Sequence, residues 1–280
     1  MQVCVPSRPA ATSARITAWA RAHPRLRPLR ELLLVAVLFT AYKVGRMLAA
    51  EHMVEAFHNA VRLWDLERAL HLPSEVGVQD WLLQAPAAVR AANVYYEFVH
   101  FPATAIFLVW LYLRRHAHYR WARTVLVVLT AAALVVHFVL PLAPPRMLNG
   151  LGFVDTGAVY GPGVYGTPEH DHLSNQFAAM PSLHIGWAVL VATGLILATR
   201  SRWRWLWAAH PVITTFVVVA TANHYWLDGI VAVALLVITI VIVRPPGLKR
   251  GTAVSAANGT SAEPAAEKEK AYASRAEEAA

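Results

Sequence analysis

The segment HYWLD places an imidazole, His224, four residues before a carboxylate, Asp228. On a helix that spacing stacks the two side chains on one face. Asp228 can then accept the Nδ1–H of His224. That bond fixes the tautomer, leaves Nε2 as a bare lone pair, and stabilises positive charge on the ring if Nε2 attacks an electrophile. An isolated HxxxD arises often by chance, but two further elements accompany this one. In AAMPSLH, Pro181 suits the first turn of a helix, where its missing N–H costs nothing. Ser182 and the free N–H groups of such a helix start make an anion site, and His184 lies in the same turn. Protonated, His184 can give its proton to a leaving oxygen. In PLAPPRM, Arg146 follows two prolines that stiffen the chain, and its planar fork suits phosphate. A nucleophilic histidine, its aspartate, a second histidine as acid and an arginine together suit phosphoryl transfer through a phosphohistidine. Catalysis would rest on positioning and on cations around the equatorial oxygens.

The elements that carry these residues are apolar. Of 280 residues, 57% are hydrophobic and 15% charged, against about 45–50% and about 25% in a soluble domain. These values exclude a disordered chain and argue against an ordinary water-soluble enzyme. A single cysteine, Cys4, excludes a disulfide framework and any cysteine-based zinc or iron–sulfur site. Six apolar stretches, at 31–50, 93–113, 124–143, 181–199, 206–222 and 224–243, approach the length of about 20 residues that crosses a bilayer. The sequence therefore predicts an all-α, polytopic membrane helix bundle with six transmembrane helices. The first outer connection, 51–92, adds an amphipathic helical segment, with Phe57, Val61, Leu63, Trp64, Leu66 and Leu70 near helical spacing. It can lie on the outer membrane surface or pack on the bundle.

Arginines set the orientation. They crowd the segment before the first span (Arg15, Arg21, Arg25, Arg30), the second-to-third connection (Arg114, Arg115, Arg120, Arg123), the fourth-to-fifth (Arg200, Arg202, Arg204) and the chain after the sixth (Arg244, Lys249, Arg250). These are alternate connections and share one side, which the positive-inside rule makes the cytoplasm. The net charge of +8 is thus a topology signal, and no nucleic-acid partner is expected. The organisation reads as a basic cytoplasmic segment (1–30), a six-span catalytic domain (31–243) and a cytoplasmic, disordered tail (244–280), in a multi-pass cell-membrane protein with both termini inside.

With this topology the ionisable residues of the spans gather at one depth, in the outer half: Lys43 and Arg46, Glu97 and His100, His137, His184, then His224 and Asp228. Charged groups at the bilayer centre cost about 2.5–3.5 kcal/mol on insertion scales and usually mark function. Each has a plainer reading. A membrane histidine can simply satisfy an interhelical hydrogen bond. Lys43 and Arg46 can snorkel to headgroups, and Glu97 can be their partner. Their convergence favours a shared site. Tyr42, Lys43 and Arg46 lie on one helical face, which is expected to turn into that site and add cations for the phosphate. Tyr42, Glu97, His100, His137, Asn175 and Asn223 are candidate lining residues.

PSLH at 181–184, HYWLD at 224–228 and, more loosely, APPR at 143–146 resemble the signatures of the type 2 phosphatidic acid phosphatase superfamily, which also contains the vanadium haloperoxidases. The resemblance covers about residues 31–243. It implies that His224 becomes phosphorylated, Asp228 orients it, His184 is the general acid, and Arg146 with Ser182 holds the phosphate, without metal or other cofactor. The family's usual lysine and proline in the first motif are Val139 and Met147 here, and its upstream Ser-Arg is Val217 and Val218. With GFVDT (152–156) and NQFAAMPSLH (175–184), these departures are most similar to the inositol phosphorylceramide synthase and inositol phosphotransferase branch, which moves a phosphate-containing headgroup from a lipid to an alcohol. The expected partners are a lipid substrate and a water or alcohol acceptor. Two other classes account for parts of the pattern. A transporter should carry polar residues across the whole membrane, whereas these stop in the outer half. A metal-dependent hydrolase would use His184, His224 and Asp228 as ligands.

Overall fold

A computed structural model of the chain describes residues 29, 31–33, 36–37, 40, 53–148, 150–162 and 176–247. The basic N-terminal segment, most of the first predicted span and the C-terminal tail lie outside the described residues. Among the described residues the architecture is all-helical, apart from one parallel bridge between Leu142 and Ala178.

The outer connection opens with α1 (Met53–Ala69), which buries Ala56, Ala60 and Glu67. Two of these are small, so the helix comes close to the chain leaving the third predicted span: the Ala143 N–H donates to the Ala56 carbonyl at 3.2 Å, and the Asn59 amide to the Pro141 carbonyl at 3.0 Å. The amphipathic segment thus packs its buried face on the bundle. α2 (Glu75–Leu83) starts at Ser74, whose Oγ accepts the Gly77 N–H. α3 (Pro86–Phe98) begins with proline in its first turn.

The second predicted span, 93–113, is not one straight helix. α3 and α4 (His100–Arg114) meet at a bend of 46°. Pro102 explains the break, because its ring collides with the carbonyl four residues back, that of Phe98, and it offers no N–H there. The fifth predicted span, 206–222, opens instead in a 3₁₀ turn, Arg202–Ala208, before α8 (Ala209–Ala220). Pro211 lies in the first turn of α8, where a proline is tolerated. By length and composition α5 (His116–Val139) is the one described helix that can cross a membrane, and α3 with α4 forms a second if the bent pair is one span. α7 (Leu183–Ala198) and α9 (Trp226–Ile242) are shorter and apolar. Between these lie a 3₁₀ turn, Pro145–Met147, and the short α6 (Thr156–Tyr160).

Close approach around α7 depends on absent side chains. A Cβ on Gly194 would sit 2.4 Å from the Phe107 ring of α4, and one on Gly229 of α9 would sit 2.6 Å from Ile185. The outer helices are tied to α9 by buried polar groups. Glu67 and Glu75 are both fully buried. Glu67 Oε1 accepts the Leu227 N–H at 2.7 Å, and Glu75 Oε2 pairs with Arg68 at 2.8 Å. The Trp226 indole donates to the Pro73 carbonyl at 2.9 Å. Burial, with Glu75 beside it, pushes the Glu67 carboxyl up to about 9.

A carboxyl raised in the folded state binds its proton more tightly there than in the unfolded chain. Its contribution to stability is full below its ordinary range near pH 4.5 and is lost as pH rises toward about 9. The Glu67→Gln protein cannot ionise at this position. In detergent, its Tm relative to wild type is expected to climb steadily between pH 5 and pH 8.5. A difference that stays flat over that range would show Glu67 to be ionised in the folded protein.

Candidate active site

The site forms where two helices begin. Ser182 is the N-cap of α7, in extended conformation, and its Oγ accepts the Ile185 N–H at 3.4 Å. Pro181 therefore precedes the cap and is not in the first turn, where the sequence suggested it. Serine is the stronger capping residue and takes the position. The Ser182 N–H crosses to the Asp228 carbonyl at 3.0 Å. Two N–H groups expected to be free for an anion, those of Ser182 and Ile185, are thus committed within the protein. Ser182 itself is fully buried. His184 follows in the first turn of α7.

The second start is α9, and here too the helix begins later than expected. His224 precedes the N-cap, Tyr225. The His224–Asp228 contact is consequently made by a carboxylate in the first helical turn reaching back to the residue before the cap. Asp228 Oδ2 accepts the Tyr225 N–H at 2.9 Å and lies 3.1 Å from His224 Nδ1. His224 Nδ1 also lies 2.9 Å from the Ala179 carbonyl. A carbonyl can only accept, so Nδ1 carries the proton and Nε2 is the bare nitrogen. The other carboxylate oxygen of Asp228 is buried and has no hydrogen-bond partner among the described residues.

The turn that delivers His224 is tight. The Asn223 and His224 N–H groups both donate to the Val218 carbonyl, at 2.9 and 3.1 Å. Ala222 takes a left-handed φ of 54°. Its carbonyl accepts the N–H of Arg146 at 2.8 Å. The Arg146 side chain is then held from two sides, by Asn223 Oδ1 at 2.6 Å and by Asp155 at 3.6 Å. Asp155 caps α6 and lies in the GFVDT segment. That segment is clamped by Gln79, whose amide exchanges two hydrogen bonds with the Val154 backbone, both at 2.9 Å.

The His184 ring lies 5.6 Å from that of His224, centre to centre. Its other neighbours are Tyr96, stacked at 4.5 Å, and His100, tilted at 4.5 Å. His100 in turn stacks on Trp187 at 5.0 Å. This column of rings restricts how His184 can turn.

The family model of the PAP2 superfamily matches residues 61–242. The chain belongs to the PAP2 superfamily. No curated protein and no solved structure matches it. The match takes in all three motifs of this PAP2 chain and both helix starts.

The sequence-predicted residues fall into groups. His184, His224 and Asp228 meet at the two helix starts, with Arg146 held beside them through Asn223. His137 is buried, and its Nε2 lies 3.2 Å from the Pro181 carbonyl, which makes it a strut under the cap of α7. Asn223 bonds Arg146 and Thr221. Glu97 is half-buried in the last turn of α3. Tyr42, Lys43, Arg46 and Asn175 lie outside the described residues. Val139, in place of the family's lysine, is exposed, and Val218, in place of its arginine, is buried in the core. Sequence reasoning missed the Ala179 carbonyl, Tyr96 and Asp155. Asp155 had a signal, since an acid three residues before an N–H at a short helix start is a cap, whereas a backbone carbonyl has none. Among the described residues no group of three His, Cys, Asp or Glu is placed to hold a metal ion.

Because the Ala179 carbonyl holds Nδ1–H independently, Asp228→Asn should leave the tautomer intact and remove only the charge. The expected loss of turnover is roughly ten- to a hundredfold, with little change in Tm. Asp228→Ala also strands the buried Tyr225 N–H, which should cost about 1–3 kcal/mol of stability. Turnover and thermal melts of the two variants check this order; equal effects from both would show that Ala179 does not secure the ring.

Proposed function

We propose that this PAP2 protein is an integral-membrane lipid phosphatase or phosphotransferase that works through a phosphohistidine on His224. The observation that carries the reading is the state of that ring. Nδ1–H is held by Ala179 and Asp228, Nε2 is bare, and a second imidazole stands 5.6 Å away. His224 Nε2 attacks phosphorus, and the bond to the leaving lipid oxygen breaks. His184 gives that oxygen its proton, so diacylglycerol or a similar alcohol departs neutral. Asp228 stabilises the phosphorylated imidazolium. His184 then takes a proton from the acceptor hydroxyl, whose oxygen attacks phosphorus and frees His224. Water as acceptor makes the enzyme a phosphatase; an alcohol makes it a transferase. APPR, GFVDT and NQFAAMPSLH favour the transferase branch that uses inositol. Arg146 is one phosphate cation. Arg46, with Lys43 or the Tyr42 hydroxyl, is proposed to supply the charge that Val139 and Val218 do not.

Six spans with the site facing outward complete the reading, and three contacts support it. Arg115 donates to the Ala198 carbonyl, the Trp121 indole to the Val243 carbonyl, and Arg123 pairs with Glu31. The ends of α4, α7 and α9 therefore gather with the start of α5 at one end, where the arginines are. Exposed Trp203, Trp205 and Trp207 lie in the basic 199–208 segment of that end, as interfacial aromatics do.

Purified protein should be incubated with radiolabelled phosphatidic acid and phosphatidylinositol, with and without free inositol. Labelled protein that forms with wild type and vanishes in His224→Ala is expected, and turnover should survive chelators. Arg46→Ala should lower turnover, and Arg46→Lys should restore only part of it. Normal turnover in His224→Ala would overturn the mechanism, and inactivation by chelators reversed by zinc would favour the metal-dependent alternative.

Topology is read separately, in a Cys4→Ser background. Ala158 and Ala117 are both exposed. A cysteine at position 158 should react with an impermeant thiol reagent in intact cells, and one at 117 only after lysis. The reverse pattern would put the chemistry on the cytoplasmic side.

A further inference from the structure

Outside the motifs, the most unusual chemistry in the molecule is the pair of acids beneath α9. Glu67 and Glu75 are each fully buried. Each spends one oxygen on a named partner: Glu67 Oε1 on the Leu227 N–H at 2.7 Å, Glu75 Oε2 on Arg68 at 2.8 Å. The remaining oxygens, Glu67 Oε2 and Glu75 Oε1, are buried and have no hydrogen-bond partner among the described residues. Burial, with Glu75 beside it, holds the Glu67 carboxyl above its ordinary range. An ionised Glu67 would be a stranded buried acceptor next to another acid, which is costly, and a proton on Glu67 relieves that repulsion.

The position of this pair decides what it does. Leu227 is the residue before Asp228, in the first turn of α9. Asp228 holds the Tyr225 N–H, and Glu67 holds the Leu227 N–H. Two buried acids therefore take N–H groups of one helix start that have no partner within the helix, where the macrodipole favours negative charge. The charged and titratable groups facing Glu67 are Glu75 from α2, Arg68 from α1, and Asp228 and Tyr225 from the α9 start. Of these only Arg68 is a cation, and it is bound to Glu75. Fully ionised, the acids would place three negative charges around a single turn.

We propose that Glu67 is a positioning residue for the reaction: its buried carboxyl accepts the Leu227 N–H and fixes the first turn of α9 so that Asp228 stays aligned on His224. It touches neither substrate nor the reacting atoms. The inference rests on the phosphohistidine reading above. Held protonated, Glu67 also keeps one negative charge away from Asp228.

Glutamine preserves the contact to Leu227, since its Oε1 can accept there, and it stays uncharged. Alanine loses that contact. The test is the rate at which full-length protein in mixed micelles acquires label from radiolabelled phosphatidic acid or phosphatidylinositol, measured between pH 6 and pH 10. Glu67→Ala should lower kcat about tenfold or more, as loss of alignment does, with KM within about twofold of wild type. Glu67→Gln should stay within about threefold of wild type near neutrality. The ratio of Glu67→Gln to wild type cancels any limb that the two share, such as that of His184. It should rise as pH passes about 9, where wild-type Glu67 loses its proton and glutamine cannot. Wild-type kcat in Glu67→Ala would overturn the proposal. If that variant fails to fold, a ratio that stays level through pH 10 overturns it instead. Failure of wild type itself to take label from either lipid sinks the reading on which the proposal rests, a result distinct from both.

Discussion

A single backbone hydrogen bond, from the Ser182 N–H to the Asp228 carbonyl at 3.0 Å, couples the two helix starts on which the site depends. Asp228 uses its carbonyl for α7 and its carboxylate for Tyr225 and His224. A displacement of α9 by even one residue would therefore uncouple the nucleophile, its orienting acid and the cap of the acid–base histidine together. The helices can come this close because Gly229 leaves room for Ile185. The same constraint recruits the chain before α7. Pairing of Leu142 with Phe177 and Ala179 brings the Ala179 carbonyl under the His224 ring. The Tyr225 hydroxyl, bonded to the Ala143 carbonyl, braces that arrangement from the other side.

What could be read from the sequence was what the chain writes in contiguous letters. PSLH and HYWLD each hold a functional histidine within a few residues of the group that positions it, so their chemistry follows from spacing. Helix boundaries did not follow. An apolar run looks the same whether it is straight or broken, and the break in the second predicted span comes from Pro102, a single letter inside a stretch of favourable hydropathy. Pro181 and His224 were each placed inside helices that begin two residues later, because propensity does not locate a cap to one residue. The deeper omissions are contacts between distant segments. Glu67 sits on a helix with many charged neighbours, and in sequence it looks like one more solvated acid. Only the packing of α1 against α9, with Glu75 of α2 beside it, removes it from water. Tyr96 and His184 are far apart in the chain, and nothing in either neighbourhood announces that their rings stack.

The departures from the family's usual residues have local structural accounts. Val218 contributes its carbonyl to the turn before His224 and its side chain to the core, so this position serves the turn without providing charge. Met147 packs in the cluster beneath Tyr225. Arg146 is compensated in another way: Asn223 and Asp155 hold its guanidinium nearly buried. A cation fixed before substrate arrives loses little rotamer entropy on binding it, and a long side chain can otherwise lose on the order of 1.5–2 kcal/mol.

Ala222 gives the turn a property that its contacts do not. Its φ of 54° is one that glycine adopts readily and alanine does not. The folded chain accepts that cost just before Asn223 and His224, in a residue fully buried. A methyl group here also narrows the conformations open to the unfolded chain, where a glycine would wander. Part of the order around His224 is therefore inherited from states in which no site exists.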